Sequence, residues 1–457
     1  MSIFVSKRVK KTQGRLMLWL LIAVAVLLVG AVAVFILFCE RGKPAFELST
    51  DMGRLGLKKE IAFVASDSGR GVRSITIELV QGEKNRSLLN KTFVRRGLFA
   101  SDDLKRIQDV IMVETAGLGF TDGRADLKVV VHDFSWWGFM QGNVATFSFP
   151  LIIDTKPPVI NLVTSPRTIA MGGAGVVVYR LSEPVAQHGV TINNRFFPGF
   201  PLVKRGEGVF VAHIGIPHDM LKIEASHVTA VDLAGNGGRA AFGMTLKPIA
   251  PVRDMITLSD AFLDAKLQEF AQYYPEMTGN SVEKYIYINN TVREANAAKI
   301  REICANSLPE RLWQGRFERM ARSSGRAGFP DHRTYSYQGR EIDKQVHLGV
   351  DLASVHQAEV QAANKGKVVF AEYLGIYGNT VILDHGQGVF TLYAHLSQIE
   401  ATVDQILEQG GKLGQSGATG MAGGDHLHFA ILINGVFVSP IEWWDDHWIR
   451  VNIDDQL

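Results

Sequence analysis

The stretch GGDHLHFAILING, Gly423–Gly435, decides how the chain is read. A glycine-rich loop runs into an apolar segment that carries imidazoles at alternate positions, His426 and His428. Successive side chains on a strand point to opposite faces, so these two share one face while Leu427 and Phe429 occupy the other. Asn434-Gly435 has the composition of a two-residue hairpin turn. Two converging imidazoles suit a metal or catalytic centre, and a hairpin that merely carries two histidines accounts for the same letters.

Upstream residues separate these readings. From about Gly325 the chain holds eight of its thirteen histidines. HLGVDLA, His347–Ala353, pairs His347 with Asp351; Gly349 and Val350 disfavour a helix, and on extended chain positions four apart share a face. GNTVILDHGQGVFTLYAHLSQI, Gly378–Ile399, reads as two strands joined at His385–Gly388, with His395 at the end of the second. A His/Asp pair plus HLH offers the mixed nitrogen and oxygen donors that zinc accepts, and three protein ligands leave a fourth position for water. Water on such a metal has a pKa of about 7 rather than about 15.7, a nucleophile at neutral pH.

HLGVDLA, LYAHLS and GDHLHF, in this order, resemble the lysostaphin-type (LytM-like) zinc metallopeptidases that cut peptidoglycan peptides. GFPDHRTYSYQG, Gly328–Gly339, looks like that family's lead-in, and the resemblance covers roughly residues 325–441. It implies one zinc ion (Zn2+) per peptidase domain, held by His347, Asp351 and His428. It further implies that His426 and His395 flank the metal water as base and transition-state stabiliser, with the division of roles between them open. Asp425 stands where many members have proline or a small residue. By the same analogy Tyr393 and Arg333 are candidate substrate contacts. His385 reads as a turn residue, His332 and His356 as solvent-facing, and Trp443, Trp444 and Trp448 as a packed aromatic patch rather than a sugar platform. The alternative is a non-catalytic relative that activates another wall hydrolase. Such members have lost zinc ligands, whereas every ligand position here is filled.

The beginning of the chain indicates a compartment. Lys7, Arg8, Lys10, Lys11 and Arg15 precede any acid, and an uninterrupted apolar run follows from Leu16 to Cys39. As a helix it rises about 36 Å, enough to cross a bilayer core of about 30 Å. It exceeds the apolar core of a cleaved signal peptide, and no small-x-small pattern follows it. Bulky Phe38 argues against a lipid anchor on Cys39. The reading is a single-pass inner-membrane anchor with its basic end in the cytoplasm and everything after Glu40 outside. A formal charge of +2 calls for no nucleic-acid partner. Two cysteines, Cys39 and Cys304, imply neither a disulfide framework nor a CxxC zinc knot.

Between Phe46 and Ile249 short β-rich runs alternate with Gly, Asp, Asn and Pro: SITIELV (Ser74–Val80), LKVVVHDF (Leu127–Phe134), ATFSFPLII (Ala145–Ile153), GVVVYRL (Gly175–Leu181), HVTAVDL (His227–Leu233). Val129–Ile153 faintly echoes Val228–Ile249, with the proline linker DTKPPVI (Asp154–Ile160) between them. This resembles bacterial immunoglobulin-like repeats, spacers or binding modules. His132, His188, His213, His218 and His227 are scattered and read as ordinary surface or turn residues. SDAFLDAKLQEFAQYY (Ser259–Tyr274) and TVREANAAKIREICANS (Thr291–Ser307) have helical period, the first behind a Ser cap.

The expected fold is therefore mainly β. A cytoplasmic basic segment (1–15) and a transmembrane helix (16–39) precede two immunoglobulin-like sandwiches (45–155 and 156–249). A helical connector (250–322) leads to an antiparallel β metallopeptidase domain (323–457). The expected function is a membrane-anchored zinc endopeptidase acting outside the cytoplasm on peptidoglycan cross-links. Its partners are wall peptides, the inner-membrane bilayer and envelope proteins held by the sandwiches. A scaffold that uses its peptidase for processing is a second alternative. The connector, directly before the catalytic domain, is expected to cover part of its groove.

Overall fold

The computed structural model describes residues 3–95, 97 and 102–457. Met1 and Ser2 of the basic N-terminal segment lie outside the described residues, as do Arg96 and residues 98–101 of the first sandwich. The chain divides into two compact units, residues 1–157 with 233–236, and residues 158–232 with 237–457.

The first unit opens with the helix Ile3–Phe38, whose stretch Arg15–Phe38 is apolar, long enough to cross a membrane, and exposed along its length up to Leu37. A helix apolar all round has no polar face to offer water. By length and composition it fits a membrane anchor or a signal sequence. Behind it two sheets close on one core. Ala45–Leu48, Lys58–Ser66 and Arg106–Glu114 form one; Arg54–Leu55, Val144–Ile153, Gly123–Asp133, Val72–Gln81 and Lys84–Thr92 form the other. Period-two alternation decides the inner faces. Ile75, Ile77 and Leu79, with Leu127, Val129 and Val131, are buried against Ile61 and Phe63, while the residues between them face outward.

One loop of this unit is fixed with care. The buried Asp133 accepts backbone N–H bonds from Ser135 (2.9 Å) and Asn143 (2.7 Å) through Oδ1 and the Asn143 side-chain amide through Oδ2 (2.8 Å). These bonds pinch the base of SWWGFMQG, Ser135–Gly142. At its tip Gly138, Phe139 and Met140 have φ of 64°, 59° and 69°. For Phe139 and Met140 that left-handed conformation costs about 1–2 kcal/mol each.

The second unit joins a further β region to the C-terminal domain. Its sheets are Phe200–Pro201, Val209–Gly215, Ala174–Leu181, Ile160–Thr164 and Arg195–Pro198, Val185–Ile192, Ser226–Asp232, Gly237–Ala241. Their buried side chains belong to the same contiguous apolar cluster as those of the C-terminal sheet. A Cβ on Gly215 would lie 3.0 Å from Val438 and 3.1 Å from Ile433. Glu442 Oε2 accepts the Ala174 N–H at 3.2 Å. This β region is thus packed into the C-terminal domain instead of hanging from it as a loose spacer.

Between them the helical reading is met by Asp260–Ala271, where Ser259 Oγ accepts the Phe262 N–H at 3.2 Å, and by Arg293–Ile303. A further helix, Ser281–Tyr287, starts on an Asn280–Glu283 capping box. Two stretches depart from helix. Val252–Leu258, rich in β-branched residues, pairs in parallel with Asp331–Tyr337. After Cys304 the chain runs irregularly to Ser324 and inserts Trp313 and Phe317, both fully buried, beside Trp443 at ring separations of 5.4 and 5.3 Å. The tail tryptophan is therefore core.

The large antiparallel sheet follows the order Ser324–Ala327, Val350–Ala353, Leu427–Ile433, Val389–Leu396, Asn379–Asp384, Gly366–Tyr373, Ile406–Leu407, with Val436–Val438 paired to Leu427–Ile433. Its central strands, LHFAILI and VFTLYAHL, are buried along their whole length. Asn434 and Gly435, at φ of 49° and 79°, close the expected hairpin.

Candidate metal centre

Cross-strand register builds the centre. Asp351 stands directly opposite His428, and Ala394 stands opposite His428 on its other side, so His395 follows one residue on. His347 ends the strand Arg340–His347, and Leu348-Gly349 carries the chain into the sheet. A Cβ on Gly349 would lie 2.5 Å from His428 Cε1 and Nε2 and 2.8 Å from the Phe429 carbonyl. Glycine is required there for space.

His347 Nε2, Asp351 Oδ1 and His428 Nδ1 form a buried triangle with edges of 2.9, 2.9 and 3.0 Å. His347 donates its Nδ1–H to the Gly328 carbonyl at 2.9 Å, which leaves its Nε2 lone pair inside the triangle. Bonds of about 2.0–2.2 Å at tetrahedral angles place zinc ligand atoms roughly 3.3–3.5 Å apart, so the triangle fits zinc after opening by a few tenths of an ångström. His428 Nε2 is buried without a hydrogen-bond partner, which leaves its Nδ1 as the nitrogen engaged. Arg333 Nη2 donates to the other Asp351 oxygen at 3.1 Å and orients the carboxylate. Burial alone would raise the Asp351 pKa, but the imidazoles of His347, His426 and His428 around it overcome burial and hold the carboxyl well below its usual value.

His426 and His395 stand beside the triangle with their rings 4.9 Å apart. His426 donates Nδ1–H to the Gly424 carbonyl at 2.8 Å and brings Nε2 to 3.5 Å from Asp351 Oδ1. His395 donates Nδ1–H to the Thr419 carbonyl at 2.8 Å, at a φ of 63°. Such a backbone costs about 1–3 kcal/mol and is characteristic of functional positions. Burial and the neighbouring imidazoles depress the His395 pKa, whereas for His426 the bond to Asp351 outweighs burial and raises it.

A cavity of about 430 Å³ lies over these groups. A second, of about 500 Å³, shares Arg293, Arg333, Tyr335, His347, Tyr377 and His428 with it. The connector supplies Phe262, Tyr285, Asn289 and Arg293 to the first cavity, residues that the motifs did not reveal. Helix caps mark where such helices start, not which face meets the site. The connector also braces the site's loops: Glu269 Oε1 accepts the Gly420 N–H at 2.6 Å, and Asn296 Oδ1 accepts the Ile376 N–H at 2.9 Å.

The secondary assignments divide. Tyr393 is fully buried and its hydroxyl accepts the Ala363 N–H at 2.8 Å, so it faces the core and not a substrate. His385 is fully buried, donating to the Lys365 carbonyl and bonded to Thr391 Oγ1 at 2.7 Å each, a structural role. His356 is exposed and pairs with Asp425, whose carboxylate also accepts from Gln357 and Ser416 and ties down the loop before His426.

Residues 345–440 match the sequence model of peptidase family M23, and the chain carries an M23 domain of the LytM-like kind. M23 peptidases are zinc metallopeptidases. Over 98 residues the chain is 39% identical to the DD-carboxypeptidase/endopeptidase Mpg of Neisseria meningitidis serogroup B, covering 21% of this chain and 22% of that protein. Over 107 residues it is 33% identical to the peptidoglycan DD-endopeptidase ShyB of Vibrio cholerae, covering 23% and 24%. The chain thus spans about a quarter or less of the length of these curated relatives. A solved putative peptidase M23 from Pseudomonas aeruginosa aligns at 22% identity over 59% of this chain and 92% of that one, with a TM-score of 0.37.

Proposed function

We propose that this chain is a membrane-anchored, zinc-dependent endopeptidase that hydrolyses peptide bonds of peptidoglycan cross-links outside the cytoplasmic membrane. The observation that carries the reading is the convergence of His347 Nε2, Asp351 Oδ1 and His428 Nδ1 on one point under an open cavity. Three lone pairs so arranged repel one another unless a cation sits among them. When bound, zinc would polarise the substrate carbonyl and acidify water.

The protein's own groups do the remainder. Arg333 and the Gly328 carbonyl hold Asp351 and His347 in the liganding orientation. His395 and His426, each tethered through Nδ1–H to a backbone carbonyl, keep Nε2 free to exchange a proton. One accepts the proton of the attacking water, and the other donates to the developing oxyanion. The helix Ile3–Phe38 serves as the anchor with its basic end in the cytoplasm. We place the domain borders at 45–155, 156–249, 250–322 and 323–457, the first two domains serving as immunoglobulin-like modules that engage envelope partners.

The test is digestion of purified peptidoglycan by the full chain in detergent with added zinc, the products read by mass spectrometry. Release of cross-link peptides supports the reading. Intact cross-links beside cleavage of an unrelated protein would move the substrate away from the wall.

A further inference from the structure

The first unit carries an aromatic loop where the apolar helix ends. The Trp136 N–H donates to the Phe38 carbonyl at 2.8 Å, so the loop Ser135–Gly142 is bonded to the last residue of the apolar span. The rings of Phe38 and Trp136 lie 4.5 Å apart, and Ser135 Oγ donates to the Glu40 carbonyl at 2.8 Å. Arg41, on the chain leaving the helix, places its guanidinium 4.3 Å from the Trp137 ring centre. Arg73 reaches the Met140 carbonyl at 3.4 Å.

The tip of this loop is built against the preferences of a water-facing turn. Phe139 is fully exposed, at 102%, and Met140 is 64% exposed. Both are held at positive φ beside Gly138, a conformation that side chains rarely adopt. The base of the loop is pinned by the buried Asp133, so the tip cannot fold back to cover these groups. Three residues span at most about 10 Å, so Phe139 lies within about 10 Å of Trp136, which is itself bonded to the helix end at Phe38. The headgroup zone on each side of a bilayer is about 5–7 Å deep. Tryptophans with neighbouring arginines are the side chains that settle in that zone.

We propose that the loop Trp136–Met140 is a second membrane contact, with Phe139 and Met140 entering the lipid interface and Arg41 and Arg73 meeting anionic headgroups. The bonds of Phe38 and Glu40 to the loop tie the first unit to the end of the helix at one place only. A second contact beside the exit point fixes the tilt and height of that unit over the bilayer. The proposal rests on the membrane-anchor reading of Ile3–Phe38 and not on the peptidase reading.

The test uses the full chain in nanodiscs of phosphatidylethanolamine and phosphatidylglycerol, with Cys39→Ala and Cys304→Ala as background. Nitroxide labels are placed by Phe139→Cys, by Leu27→Cys in the helix, and by Glu83→Cys. Glu83 follows the strand Val72–Gln81, whose ten residues carry it about 33 Å from the loop. Collision rates with oxygen and with a water-soluble nickel chelate report depth. The expected result is oxygen-dominated relaxation at Leu27 and Phe139 and nickel-dominated relaxation at Glu83. A Phe139 label that behaves like Glu83 while Leu27 reads as buried overturns the proposal alone. An aqueous Leu27 label overturns the anchor reading and the proposal with it. Phe139→Ser with Met140→Ser, substitutions of exposed groups, should increase the motional amplitude of a Glu83 label; an unchanged spectrum counts against the contact.

Discussion

Replacing each of five residues in turn by alanine separates the groups that hold zinc from those that move protons. His347, Asp351 and His428 supply the triangle with edges of 2.9–3.0 Å, and removing any one leaves two donors. Three protein ligands are the minimum for such a site, so His347→Ala, Asp351→Ala and His428→Ala should lose most bound zinc after dialysis, with activity falling in step. His426 stands outside the triangle, its Nε2 3.5 Å from Asp351 Oδ1, and the His395 ring is 4.9 Å from that of His426. Their removal leaves the three donors in place. His395→Ala and His426→Ala should keep near-stoichiometric zinc and lose a factor of about 10²–10⁴ in rate, or roughly 2.7–5.5 kcal/mol of transition-state stabilisation. Arg333→Met removes the support of Asp351 and should weaken zinc by about 10–100-fold. Zinc is measured by atomic absorption beside the rate of peptide cleavage. If His426→Ala lost its zinc while His428→Ala retained it, the assignment within GGDHLHF would be reversed.

Other consequences are equally concrete. Gly349→Ala places a Cβ 2.5 Å from the His428 ring and should loosen zinc while the remaining sheet stays folded, checked by zinc titration and circular dichroism. Burial pushes the imidazoles of His213 down to about 3 and of His188 and His385 to about 4. The unfolded chain therefore binds protons below about 6.5 that the fold refuses, and stability present above that pH is lost as pH falls, by about 1.4 kcal/mol per unit for each histidine. His213→Leu should reduce the slope of urea-unfolding stability between pH 6 and 5 by that amount; an unchanged slope refutes the assignment. The connector lines the cavity but also contributes a strand and the core aromatics Trp313 and Phe317, so its covering role is best probed by Phe262→Ala rather than by deletion. That variant should raise cleavage of a soluble wall peptide, and equal or lower activity in a folded protein sinks the idea. An enzyme reporter fused after Leu457 should be active only outside the cytoplasm, and cytoplasmic activity would overturn both compartment and substrate.

Local chemistry was enough to determine much of this protein. The apolar run before Cys39, the period-two strands such as Ser74–Val80, the Ser259 cap and the Asn434-Gly435 turn are short-range signals, and the structure reproduces them as helix, strand, cap and turn. HLGVDLA, LYAHLS and GDHLHF were legible because the side chains of each motif are placed by a few residues of strand geometry. What joins them is not local. Only the register of Val350–Ala353 and Val389–Leu396 on either side of Leu427–Ile433 brings Asp351, His395 and His428 to one point. Burial likewise decided that Tyr393 faces the core, since both faces of this central strand are covered and its letters do not say by what. Phe262 and Arg293 reach the cavity through packing of helices whose own sequences carry no trace of the site. Shared burial also joins the β region after Pro157 to the C-terminal domain. Periodicity records which residues avoid water, and it is the folded chain that chooses what they avoid it against.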